Sequence, residues 1–113
     1  MTCNISSTPD FKSNLKVLCK RYKSMKQDFS DFLDELEKNP FQGSELGKGL
    51  RKIRMAITSK GKGKSGGARV ITVTAIVSVD ETNVTLLTIY DKSDRETIKD
   101  SDLKNILKKN GLL

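Results

Sequence analysis

The chain of 113 residues contains no histidine and no tryptophan. It has two cysteines, two prolines and few aromatic residues. Without histidine there can be no histidine-centred triad, no histidine acid–base pair of the common ribonuclease kind, and few zinc sites. Any chemistry must come from Lys, Arg, Tyr, Asp, Glu, Ser or Cys. Cys3 and Cys19 lack metal-ligand spacing, and the expectation is two reduced thiols, with Cys19 filling an apolar helix face. No apolar run approaches the roughly 18 residues that would span a bilayer. The opening MTCNISSTPDFK lacks the basic-then-apolar pattern of a secretion signal, so a cytoplasmic location is expected.

Another absence is local. Residues 49–69 hold seven Lys/Arg and no Asp/Glu, and this one segment supplies the whole net charge of +7. The flanking segments are electrically balanced. At this length the chain is a single domain, 1–113, able to bury a core without staples.

Cys3–Ser6 reads as a short first strand. Thr8-Pro9 places a hydroxyl cap before a proline at the first helical position. Phe11, Leu15, Leu18, Cys19 and Tyr22 then recur at helical spacing. Ser24 is expected to cap a second helix bearing Phe29, Phe32, Leu33 and Leu36, stopped at Asn39-Pro40. FQGSELGKG reads as loop. The pattern next switches to period two: Ile53, Met55 and Ile57 alternate with Lys52, Arg54 and Ala56, so Lys52 and Arg54 share the face opposite the core. SKGKGKSGG reads as a mobile glycine-rich turn. Arg69–Val79 has the Val, Ile and Thr content of a buried strand, DETN turns the chain, and Val84–Tyr90 returns it. Ser101 caps a last short helix with Leu103, Ile106 and Leu107 inward. The fold class is α+β: a small antiparallel sheet, two N-terminal helices and a short C-terminal helix, with the helices on one face.

GKGKSGG invites comparison with a phosphate-binding P-loop. That pattern needs a glycine where Thr58 stands, and a helix where a β-branched strand follows. The mismatch argues strongly against a nucleoside-triphosphatase. A solvated, lysine-rich hairpin tip would account for Lys60, Lys62 and Lys64. It would not account for Arg51, Lys52, Arg54 and Arg69 on the adjoining strands. Clustered charge on strands and hairpin together favours a polyanion, nucleic acid above all. No helix shows a basic recognition face for DNA. The basic segment is neither an amphipathic helix nor flanked by aromatics, which argues against a membrane partner. RNA also allows chemistry without histidine. Its 2′-hydroxyl can attack the adjacent phosphate, given a base, cations for the crowded phosphate, and an acid for the leaving oxygen. A lysine crowded by other cations can serve as the base, and arginine can stabilise the charge.

GLRKIRMAITSKGKGKSGGARVI, followed by LLTIYDKSDRETI, resembles the RelE/HigB superfamily of type II toxin–antitoxin toxins, in the branch with a GKGKxGGxRxI hairpin. The resemblance covers residues 49–98 closely. It implies a metal-independent, cofactor-free endoribonuclease that cleaves messenger RNA, often in the ribosomal A site, leaving a cyclic phosphate and a 5′-hydroxyl. It also implies an inhibitory antitoxin, a helix-turn-helix protein from the same operon. Lys52 and Arg54 fall where the family places a basic pair with base and phosphate-binding roles. Arg69 matches the arginine that holds the scissile phosphate, and Lys92 matches a basic position at the end of the last strand. Arg51, Lys60, Lys62, Lys64, Tyr90 and Arg95 are the expected RNA contacts. Two departures stand out. Ser93 occupies the position of the family's leaving-group arginine, leaving Arg95 or Lys92 to substitute. The C-terminal base-stacking tyrosine has no counterpart, and Tyr90 is the nearby aromatic. The same basic surface suits a module that occupies RNA or ribosome without cutting, or an inactive relative that only binds its antitoxin.

Overall fold

Thr8 is where the local signal and the tertiary structure first meet. In this computed structural model, which describes residues 2–112, the Thr8 hydroxyl accepts a hydrogen bond from Phe11 N at 3.0 Å and donates to the Leu87 carbonyl at 2.8 Å. One side chain thus starts helix α1 (Pro9–Arg21) and ties it to the sheet. Strand β1 (Thr2–Ser7) precedes it, and α2 (Met25–Lys38) follows. The remaining elements are β2 (Ser44–Gly47), β3 (Leu50–Met55), β4 (Ala68–Ser78), β5 (Glu81–Asp91) and α3 (Asp100–Lys109).

The class is α+β, with one five-stranded sheet in the order β1-β5-β4-β3-β2. The strand expected from the alternation over Lys52–Ile57, and those expected over Arg69–Val79 and Val84–Tyr90, appear in the expected antiparallel succession, with shifted ends. The sheet as a whole is mixed rather than antiparallel, because β1 lies parallel to β5. A parallel neighbour requires a crossover, and α1 and α2 supply it. The FQGSELGKG stretch is not wholly loop: Ser44 and Glu45 pair with Lys52 and Arg51, making β2 a short edge strand.

The helices occupy both faces, contrary to the one-face expectation. Phe11 and Leu18 of α1 pack with Met25, Phe32 and Leu36 of α2 over Ile53, Met55, Val70, Val84 and Leu86. On the other face Leu103 and Leu107 of α3 pack over Ile71, Leu87 and Tyr90. A strand with apolar residues at successive positions, such as Val70-Ile71 or Leu86-Leu87, needs cover on both sides. The first face is already filled by two helices, so the third takes the second.

The end of β4 also differs from expectation. Its first half is buried, but Ile76, Val77 and Val79 are exposed at the β4–β5 tip, Val79 at 95%. Strand β3 reaches only as far as Val73, its Leu50 partner, and among the described residues no helix buries Ile76, Val77 or Val79. Ser101 lies inside α3, whose N-cap is Lys99. Among the described residues no helix is long and apolar enough to cross a membrane.

Candidate nucleic-acid interface

Alternation along β3 sends Ile53 and Met55 into the α1/α2 core and Leu50, Lys52 and Arg54 to the α3 face. Register then brings in the next strand: Arg54 stands directly opposite Arg69 of β4. Helix α3 covers only part of this face, and the uncovered part forms an open cleft of about 390 Å³. Lys52, Arg54, Lys64, Arg69 and Lys92 all line it, with Gln42 and Glu96.

The loop that carries Lys64 is held at both ends rather than mobile. At its start, Thr58 N and Oγ1 donate to the Asp28 carboxylate at 2.9 and 2.5 Å. Ser24 donates to Asp28 at 2.7 Å and accepts from Ser59 N at 2.9 Å. Ser24 therefore does not cap α2 through its side chain; it anchors the loop instead. Burial opposes ionisation of Asp28, but the hydrogen bonds from Thr58 and Ser24 outweigh it and hold the carboxyl below its ordinary range. At the loop's end Arg69, only 4% exposed, donates to the carbonyls of Lys64 (3.2 Å), Ser65 (2.9 Å) and Ala68 (3.2 Å). Gly67 passes so close to β3 that a Cβ there would press into the Met55 carbonyl. Its own carbonyl accepts from Lys92 N at 3.0 Å. The glycine and the arginine of the GGxR segment thus bring Lys64 and Lys92 to the same cleft.

Lys60 is placed quite differently from its neighbours. Its ammonium donates to Asp91 Oδ1 and to Ser93 Oγ, each at 2.7 Å, and its side chain is 7% exposed. Asp91 is fully buried and also accepts from the Tyr22 hydroxyl, from Arg21 at 3.1 Å and from Ser93 N at 2.9 Å. Burial alone would raise the Asp91 pKa. Lys60, Tyr22 and Ser93 more than offset it and hold the carboxyl well below the carboxylate range. The hydrogen bond to Asp91 raises the Tyr22 pKa in turn. Ser93, which accepts from Lys60 and donates its N–H to Asp91, is engaged in this cluster.

Of the six expected contacts only Lys64 lines the cleft; the other five, Arg51, Lys60, Lys62, Tyr90 and Arg95, do not. Lys60 is turned inward. Arg51 faces the α2 side, its guanidinium 5.9 Å from the Phe41 ring centroid. The Tyr90 ring is 6% exposed, under α3, with Arg95 over it at 5.4 Å. Arg95 also lies 3.8 Å from Asp102. Burial raises the Tyr90 pKa. Lys62 is exposed on the loop, and Lys64 lies 3.7 Å from Glu35 with both side chains exposed. The cleft residues that charge counting missed are Gln42 and Glu96. Nothing in DKSDRETIKD sets Glu96 apart from Asp94, which pairs with Arg21 at 2.8 Å.

Chemically, the cleft is strongly cationic: five Lys/Arg line it against one carboxylate, Glu96, among the described residues. Like charges directly opposite across strands are destabilising. Among the described residues no ion pair engages Lys52, Arg54, Arg69 or Lys92. Cys3 and Cys19 are free and half-buried, and burial pushes the Cys3 thiol up, away from nucleophilic character. Comparison of the chain with protein-family profiles and with curated protein sequences finds no match.

Proposed function

We propose that the cleft binds the phosphate backbone of RNA and cleaves it by attack of the 2′-hydroxyl, as an mRNA endoribonuclease of the RelE/HigB kind. The observation that carries this reading is the cross-strand Arg54–Arg69 pair, flanked by Lys52, Lys64 and Lys92 and left without a compensating acid pair. That arrangement costs stability unless an anion occupies it. Arg69, with three of its five donors on loop carbonyls, keeps the site in shape. Arg54 is the freer of the two to stabilise charge on the phosphorane. Lys52 and Glu96, which both line the cleft, are the candidates for taking the 2′-hydroxyl proton. Of the two cations considered for the leaving group, Lys92 lines the cleft and Arg95 does not. On this reading the ribosome presents the transcript, and a helix-turn-helix antitoxin is the inhibitory partner.

A second reading, binding of RNA or ribosome without cleavage, has one observation in its favour. Ser93 and most of Arg69 are engaged in structure, which leaves the cleft with few groups for proton transfer. Single-turnover cleavage of a defined transcript, with ribosomes present, separates the two. Cleavage is expected for wild type, with Lys52→Ala, Arg54→Ala and Glu96→Gln each slower by on the order of a hundredfold at saturating protein. Salt-sensitive binding with no cleavage by wild type would support the second reading. No binding at all would overturn both.

A further inference from the structure

Lys52 lines two recesses, the cationic cleft on one side and an apolar groove of about 360 Å³ on the other. The groove runs between the β2–β3 hairpin and α3, over Leu50, Ile98, Leu103 and Leu107. Leu46 stands at its side, 43% exposed, and Lys48 and Lys104 also line it. Its volume falls in the range of about 300–1,000 Å³ typical of small-molecule sites.

We infer that this groove receives a nucleobase of the same RNA strand, adjacent to the phosphate held in the cleft. The inference rests on the RNA reading above and extends it to a second subsite. Continuity is the first reason: a strand whose phosphate sits against Lys52 and Arg54 has its neighbouring nucleotide at the mouth of the groove. Charge is the second. Among the described residues that line the groove, Lys48, Lys52 and Lys104 outnumber Asp100, which suits a ligand with an apolar plane and an anionic backbone. An apolar protein helix would match the floor but not these lysines. No aromatic ring lines the groove, so the base is held by aliphatic contact and the subsite tolerates different bases.

The test uses the full chain and a non-cleavable pentanucleotide, with 2′-O-methyl groups throughout and 2-aminopurine placed at each position in turn. Fluorescence should change strongly at one position next to the phosphate gripped by the cleft. Leu46→Ser removes exposed apolar surface without adding charge, and should weaken pentamer binding about five- to tenfold. Val17→Ser, at an exposed apolar residue of α1, is the control and should change nothing. An abasic nucleotide at the responsive position should abolish the difference between wild type and Leu46→Ser. Equal pentamer binding by wild type and Leu46→Ser, with Lys52→Ala still weakening it, would assign RNA to the cleft and remove it from the groove. A partner helix would then be the better occupant. Failure of the wild-type protein to bind the pentamer would overturn the RNA reading itself.

Discussion

Replacing Lys60 with methionine separates a structural lysine from two that look identical beside it. The ammonium is 2.7 Å from a carboxylate that is itself fully buried. Removing one partner of a buried pair costs about 3–5 kcal/mol, because the other charge stays behind without compensation. Asp91 keeps donors from Tyr22, Arg21 and Ser93, which places the expected loss at the lower end, about 3 kcal/mol. A domain of this size has about 5–15 kcal/mol in total. The melting temperature should therefore fall by about 12 °C, at about 4 °C per kcal/mol. Lys62→Met, on the same loop but solvated, should stay within about 0.5 kcal/mol. The assay is urea and thermal unfolding followed by circular dichroism for Lys60→Met, Lys62→Met, Asp91→Asn and the Lys60/Asp91 double variant. The two single losses should sum to more than the double by about 1 kcal/mol or more, since the residues share one interaction. If Lys60→Met melted with wild type and Lys62→Met, Lys60 would be a solvated turn residue and the anchoring of the loop would be wrong.

Three further outcomes follow from the same geometry. The Asp91 and Asp28 carboxyls are held below their ordinary range, so the stability they contribute is complete above about pH 4 and is lost as the pH falls below that value towards their folded pKa; Asp91→Asn should therefore flatten the acid limb of a stability–pH curve measured by urea midpoints. RNA affinity should fall with salt at about −0.7 per neutralised phosphate, giving a log–log slope of roughly −2 to −3, and Arg51→Ala or Arg95→Ala, away from the cleft, should leave that slope unchanged. Gly67→Ala should cost about 1–3 kcal/mol through overpacking against the β3 backbone, read as a lower urea midpoint.

Local chemistry made much of this protein legible in advance. Thr8-Pro9 starts α1 whatever surrounds it, because the cap and the fixed proline dihedral act within one turn. The alternation of Ile53 and Met55 with Lys52 and Arg54 assigns those residues to opposite faces, because a strand has a period of two. The acid-free segment 49–69 announces a basic surface. None of this local information reports strand order, and so it could not say that β1 would lie parallel to β5 or that α3 would take the face left free by α1 and α2. Ser44-Glu45 looked like loop because a four-residue edge strand has too few positions to show a period. The site divides the same way. Opposing Arg54 to Arg69 needs the β3–β4 register, and adding Lys92 and Glu96 needs β5 and the chain beyond it. Lys60, Lys62 and Lys64 are equivalent in a glycine-alternating sequence. Only the fold distinguishes them, because the donor that Asp91 requires is chosen by distance in space, across a separation of 31 residues.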